Sequence, residues 1–422
     1  MTTPGASVRA RAETPGPRGP RPTGNSSSRY GKGFWLIAGA FLVAMAFNAV
    51  PTPLYPLYQA RDGFTTLTVT VVFAVFAVGV AASLLLLGHV SDWIGRKPVL
   101  LTALTLEVLS AATFLAFPAL PGLLVGRLLG GVGVGMITAT ATAHLHDLHR
   151  AHRPDDGPGR FEVVSTGANV GGLAVGPLIA GALAQYVTAP LRTPYVVFGV
   201  LLLIAMAAVA ASPETVELLP SRPTYRPQRI SADHGDRAGY LTAAAIGFAA
   251  FAINGAYTAL SAGFVAGTLH HPSHLLAGTV AFALLAAATL AQTATSRLDL
   301  RVRQRLGTAG GSAGLILLAI GVHAASLTAF LLAGVLAGAG SGMLIKSAIG
   351  SVAAIAAPAR RGEALSGLFL VCYIGMSLPA IGVGVAVHYV PLATAMYYFC
   401  GTLLLVLGAA TVLAHRHPSL HS

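Results

Sequence analysis

Long stretches in which almost every position is apolar, such as "TLTVTVVFAVFAVGVAASLLLL", alternate with short polar turns along most of this chain. A helix of about 20 apolar residues crosses the roughly 30 Å hydrocarbon core of a bilayer. Read at that length, the pattern predicts twelve spans near 34–57, 66–88, 98–118, 121–146, 161–187, 193–211, 240–266, 273–295, 307–323, 326–356, 364–389 and 391–414. Several contain Gly and Pro, which packed membrane helices tolerate better than soluble ones. The expected fold class is an all-α integral membrane protein.

Composition agrees: of the 422 residues 55% are hydrophobic and 9% charged, with mean hydropathy +0.72, against roughly 25% charged in soluble domains. Residues 1–33 are rich in Pro, Gly, Ser and Arg and predict a disordered tail, too long and polar for a cleaved signal peptide. The polar stretch 212–239 predicts a linker between bundles at 34–211 and 240–414, and 415–422 a second tail. With the amino terminus inside, 22 of the 26 Lys and Arg residues fall in the tails and the loops of one face, and 2, Arg61 and Arg192, in the opposite loops. The bias places both termini in the cytoplasm of a multi-pass cell-membrane protein. The net charge of +12 is thereby explained by orientation, and no basic helix interleaved with aromatics points to nucleic acid. Cys372 and Cys400 sit in apolar runs and read as packing residues.

The two halves repeat. Asn48, Thr52 and Leu54 of the first span are matched by Asn254, Thr258 and Leu260 of the seventh. "GVGVGM" at 131–136 returns as "GAGSGM" at 338–343, Asp92 and Arg96 return as Asp299 and Arg303, and Pro177 as Pro379. Serial matches at nearly one offset predict two pseudo-symmetric six-helix bundles.

Three motifs carry a resemblance. "GHVSDWIGRKP" follows the second span and fits G-x-x-x-D-[RK]-x-G-R-[RK] through Gly88, Asp92, Gly95, Arg96 and Lys97, with Trp93 in place of a basic residue. In the fourth span Arg127, Gly131 and Gly133 fit R-x-x-x-G-x-G. In the fifth, Gly172, Gly176, Pro177 and Gly181 fit most of an exporter-associated Gly-Pro signature, with Ala180 replacing one glycine. The chain outside the tail thus resembles the major facilitator superfamily, and in particular its twelve-helix drug/proton antiporters. The resemblance implies alternating access about a central cavity, a monomer, no cofactor, and fourth and tenth helices that line the cavity.

The loop chemistry can be read directly. Gly88 and Gly95 allow close approach and a turn, Asp92 suits a neighbouring helix amino terminus, and Arg96 suits a bidentate pair with an acid, for which Asp147 is the candidate. The reading is a latch holding the inner ends of the two halves; the plainer one is that Arg96 and Lys97 only obey the orientation bias. Glu107, Arg127 and Lys346 lie within spans, where a charge must be paired or face water. A Glu107–Arg127 pair is expected to couple protons or substrate, against a static pair or a neutral Glu107; Lys346 is a second coupling candidate or a snorkelling stem. Asn48, Thr52 and Tyr55 beside the prolines of "NAVPTPLYPLY", with Asn254, Tyr257 and Thr258 in the seventh span, are the expected cavity wall. Such a wall fits an amphiphilic organic molecule.

His144, His146, His149 and His152 with Asp147 read as a solvated helix end rather than a metal site. No nucleophile elbow, phosphate loop or paired intramembrane acids point to an enzyme. The functional expectation is a proton-coupled exporter of a small organic compound. Proton-coupled uptake and a non-transporting receptor or scaffold are the alternatives.

Overall fold

In hydrocarbon every backbone N–H and C=O needs a partner, and a helix supplies them within its own segment. The structure, a computed structural model, describes residues 24–216, 225 and 235–416, and among these residues there is no strand. Among the described residues twelve helices are long and apolar enough to cross a membrane. They are α1 Ser28–Asp62, α2 Thr66–Leu87, α3 Arg96–Ala116, α4 Leu120–His152, α5 Gly159–Tyr186 and α6 Thr193–Ala211 in the first half. The second half supplies α7 Arg237–Gly267, α8 His274–Ala294, α9 Leu300–His323, α10 Leu327–Ile355, α11 Arg361–Ala386 and α12 Leu392–Ala414.

The number of spans and their order are those expected, but several helices outrun the apolar pattern. The helix that enters α1 already begins at Gly24, before the span itself, α4 continues to His152 and α9 begins at Leu300. Hydropathy marks only the part of a helix inside hydrocarbon, whereas hydrogen bonding continues through polar residues at the membrane surface. Residues 1–23 of the expected tail, most of the expected linker and 417–422 of the second tail lie outside the described residues. Side-chain caps fix four starts: Thr65 Oγ1 accepts from Thr68 N at 3.2 Å, Asp236 from Gly239 N at 2.9 Å, Ser273 from Leu276 N at 3.2 Å and Ser326 from Ala329 N at 3.3 Å.

Buried apolar side chains form two clusters. One runs from Phe34 to Val209, the other from Tyr240 to Ala410 with Phe73 and Ala174 reaching into it. Each half therefore has its own core. The repeated glycines do the same work in both: a Cβ on Gly131 would strike α2 at Phe76 and Gly79, and a Cβ on Gly338 or Gly342 would strike α8 at Leu284 or Ala288. The halves meet where α5 lies on α8, through Gly181 and Gly278, and where α11 lies on α2, through Gly384 against Leu67 and Thr70. Small residues allow such backbone contact where lipid offers no hydrophobic drive for helix association.

Replacing Gly342 with leucine, whose Cβ would lie 2.8 Å from Ala288 Cα, is expected to cost about 1–3 kcal/mol through overpacking. Thermal melting of the purified protein in detergent should fall, while Gly39→Ala, with nothing near its added carbon, should leave it unchanged.

Candidate functional site

The regular helix of α1 stops at Ala49, passes through a 3-10 turn at Thr52–Leu54 and resumes at Tyr55. Pro51, Pro53 and Pro56 explain the break, since none can donate a backbone hydrogen bond. The interruption leaves the Asn48 carbonyl free to accept from Arg127 Nη1 at 2.8 Å, while Arg127 Nη2 donates to the Tyr55 hydroxyl at 2.5 Å. The guanidinium also lies 5.4 Å over the ring of Phe76 and 5.7 Å over that of Tyr55. The Asn48 side chain donates to Glu107 Oε1 at 2.9 Å and to the Ala44 carbonyl at 2.9 Å.

Glu107 and Arg127 are 0% and 3% exposed. The direct ion pair expected between them is replaced by a bridge through Asn48, whose side chain donates to Glu107 and whose carbonyl accepts from Arg127. Glu107 Oε2 and Arg127 Nε have no hydrogen-bond partner. The glycines of α4 make room for the acid: a Cβ at Gly133 would lie 2.7 Å from Glu107 Oε1, and one at Gly130 would lie 2.8 Å from Asn48 Oδ1. That contact gives a physical reason for glycine at 130.

Among the other expected wall residues, Thr52 and Thr258 are buried, and the Asn254 side chain accepts from Ser341 Oγ of α10 at 2.9 Å. Both repeated asparagines thus engage the fourth helix of their own half. Tyr257 is a correction: its hydroxyl donates to the Phe330 carbonyl at 2.8 Å and its ring stacks on Phe330, inside the second bundle rather than toward the first.

The charged loop is assembled around Arg96. Its Nη1 donates to Asp92 Oδ1 at 2.5 Å and to Ser91 Oγ at 2.7 Å, and its Nε faces Asp147 Oδ2 at 3.4 Å. Lys97 Nζ donates to the Ala210 carbonyl at 2.8 Å. Gly88 ends α2 with ordinary helical angles, whereas Gly95 has φ +108°, a backbone conformation that favours glycine.

Two expectations change here. Asp92 is engaged by Arg96, and the carboxylate at a helix amino terminus is Glu214, which accepts from Arg96 N at 3.1 Å and Lys97 N at 2.9 Å, as well as from Thr215 N and Val216 N. These partners of Arg96, Lys97 and Glu214 all belong to the first half or the start of the linker, so these contacts tie α2, α3 and α4 to that linker rather than one half to the other.

The ion pair between halves is a different one. Lys346 Nζ of α10 lies 3.3 Å from Glu162 Oε2 of α5. Lys346 thus faces the other bundle, where its partner is an acid. Arg303, the repeat of Arg96, is buried, donates to Ser347 Oγ at 3.3 Å, and is within electrostatic reach of Glu162.

The Gly-Pro signature of α5 divides between two neighbours: Cβ atoms at Gly172 and Gly176 would meet α1 at Leu42 and Ala46, while Gly181 meets α8 at His274, and the Pro177 carbonyl abuts Gly278. A π turn at Gly167–Gly171 precedes it. Of the histidines, His144 and His149 direct ring nitrogens at the carbonyls of Pro213 and Gly157.

The Major Facilitator Superfamily model matches residues 36–229, the first half and most of the linker. The first half of the chain thus matches this superfamily of membrane transporters, and the twelve-helix architecture is that of its fold. The second half carries the same fold: a POT family transporter solved in complex with a thioalcohol-conjugated peptide is similar with TM-score 0.71 at 12% identity, over 92% of this chain and 96% of that one. The human organic anion transporter MFSD10 is similar with TM-score 0.64 at 18% identity, over 90% and 99%. Among curated relatives, the multidrug resistance protein MdtL of Klebsiella pneumoniae is 27% identical over 170 residues, 39% of each chain. The bacillibactin exporter of Bacillus subtilis is 24% identical over 34% of this chain and 37% of its own. The match thus spans about two fifths of these relatives.

Sequence reasoning missed Glu214 and Glu162. Glu214 follows the last apolar residue of α6 in "ASPET", and an acid there has a helix amino terminus within reach only once α3 and α6 are packed. Glu162 could have been found by asking which acid in the opposite half could face Lys346.

Burial pushes the Glu214 carboxyl up, but its four backbone N–H bonds outweigh this and hold it below the ordinary carboxylate range. A lowered folded-state pKa means that its contribution is present above the ordinary carboxylate pKa and lost as pH falls through the lowered value. A spin label at Val216→Cys should therefore be immobile at neutral pH and mobilised in strong acid. Adding Glu214→Gln should mobilise it at every pH; continued immobility would show that Glu214 does not hold the linker.

Proposed function

We propose that this transporter exports a small amphiphilic organic compound in exchange for protons by alternating access, with Glu107 as the proton-carrying group. The observation that carries the reading is a fully buried carboxyl with one oxygen unpartnered, joined through Asn48 to the break in α1 and to Arg127. A charge so deep in the membrane is tolerated only where its state and its partners change together. Ionised, Glu107 accepts from Asn48 and draws on the field of Arg127; protonated, it loses that attraction and releases Asn48, and with it the proline-rich outer part of α1 where Thr52 and Tyr55 stand. A cationic amphiphile entering beside Tyr55 would be drawn to the ionised Glu107 carboxylate itself and would lose that attraction when the carboxyl takes a proton. Occupation by a proton and by substrate would then exclude each other, which is what antiport requires.

Export is supported by the Gly-Pro signature of α5 and by similarity to relatives named for multidrug resistance and bacillibactin export. The Asp92, Arg96, Lys97 and Asp147 cluster, with Glu214, would keep the first bundle rigid at its inner end, and the Lys346–Glu162 pair would bias closure between halves. Glu162 and Lys346 are partly exposed, so their pair is worth about 0.2–1 kcal/mol. That is enough to shift a two-state balance a few-fold and weak enough to break every cycle. Placement of both termini in the cytoplasm of the cell membrane, and function as a monomer, complete the proposal.

In liposomes carrying an imposed proton gradient, Glu107→Gln should reduce proton-driven movement of an amphiphilic test cation at least ten-fold while leaving gradient-free exchange of labelled for unlabelled compound. Loss of both would assign Glu107 a structural role, and retention of both would remove it from coupling. Gradient-driven movement in the direction of the protons would replace export by uptake.

Glu162→Lys alone should shift thiol accessibility of the inner vestibule a few-fold, and Glu162→Lys with Lys346→Glu should restore it. No restoration in the double variant would mean that the pair does not set the balance.

A further inference from the structure

On the basic face of the protein two grooves share Trp35 and Arg160. The first, about 450 Å³, is lined by Lys32, His149, His152 and Arg153 as well as the shared pair. The second, about 630 Å³, continues along Val163, Val164 and Ala294 to Arg297. Lys32, Arg153, Arg160 and Arg297 line the two, and among the described residues no carboxylate does. Arg153 is held at 3.0 Å by Asp156, His149 faces the Gly157 carbonyl at 3.3 Å, and the Arg160 guanidinium lies 5.6 Å over the Trp35 ring.

The grooves lie at the level of a membrane surface. Trp35 opens the apolar part of α1 and is 55% exposed, and Val163, one turn into α5, is 50% exposed. Large apolar side chains exposed on a spanning helix face lipid, and an indole there sits at headgroup depth. A basic concavity thus runs directly into an apolar one. The first is built from α1, α4 and α5, and the second adds the inner end of α8, from the other bundle.

We propose that the two grooves form a binding site for an anionic phospholipid. The headgroup phosphate lies among Lys32, Arg153 and Arg160, and an acyl chain runs past Val163 and Val164. Four cations without a lining acid select a net negative headgroup over a zwitterionic one, and the continuous apolar groove selects a lipid over a soluble anion. Because the second groove is lined from both halves, a bound lipid would sense their relative position.

Trp35 reports on its own site, since Trp93 is the only other tryptophan. The full chain carrying Trp93→Phe is reconstituted in phosphatidylcholine vesicles containing either brominated phosphatidylglycerol or brominated phosphatidylcholine, and quenching of Trp35 is followed. The expected result is quenching by the phosphatidylglycerol at a several-fold lower mole fraction. Lys32→Gln with Arg153→Gln should abolish that preference, each cation contributing up to about five-fold, whereas Arg301→Gln with Arg305→Gln, also on the basic face, should keep it. Equal quenching by the two lipids overturns the proposal, as does equal loss in the control variant. Abolition of the preference by inorganic phosphate, but not by sodium chloride of the same ionic strength, would make this a site for soluble phosphate and would overturn it too.

Discussion

A carbonyl group freed within hydrocarbon must find a donor, and the buried chemistry of this transporter is organised around one such group. The prolines after Asn48 break α1, the Asn48 carbonyl takes Arg127 as its donor, and the guanidinium is in turn held by Tyr55 and flanked by Phe76. With the cation fixed by neutral groups, the acid on α3 does not meet it directly and is reached through the amide of the same asparagine. One interruption in one helix therefore brings α1, α3 and α4 into a single polar network, and it does so where α4 has only glycine to offer in the way.

The fold was largely legible in the sequence because two simple physical quantities encode it. Apolar length counts the spans, and the recurrence of Asn48 at Asn254 and of Gly131 at Gly338 reports that the same contacts are made twice. What length could not give is where each helix ends, since α4 and α9 continue as helices through residues that the bilayer does not select. The polar contacts were only half legible. Arg127, Glu107 and Asn48 stood out as charges or amides in apolar runs, yet the order in which they touch depends on the break in α1 that frees the Asn48 carbonyl for Arg127. Tyr257 occupies a position in α7 like that of the prolines in α1, but α7 is unbroken there, and the ring turns into its own bundle.

Glu214 and Glu162 mark the limit of reasoning by motif. Neither belongs to a pattern, and each acquires its role from packing. The loop signature supplies Arg96 and Lys97 as the first residues of α3, whose amino-terminal N–H groups lack helical partners; the chain's own linker supplies the carboxylate. In the same way α10 supplies Lys346 and leaves its partner to come from the other half. Within each bundle contacts are dense; between the bundles small residues let α5 lie on α8 and α11 on α2, and among the described residues the bond from His274 N to Gln185 Oε1 and the partly exposed Lys346–Glu162 ion pair add polar links.

That exposure has a further consequence. Charges open to solvent are screened over a Debye length of about 8 Å at physiological ionic strength, whereas the Asn48–Arg127–Glu107 cluster is shielded by the surrounding helices. Salt should thus weaken the Lys346–Glu162 link between the bundles and leave the interior network largely untouched.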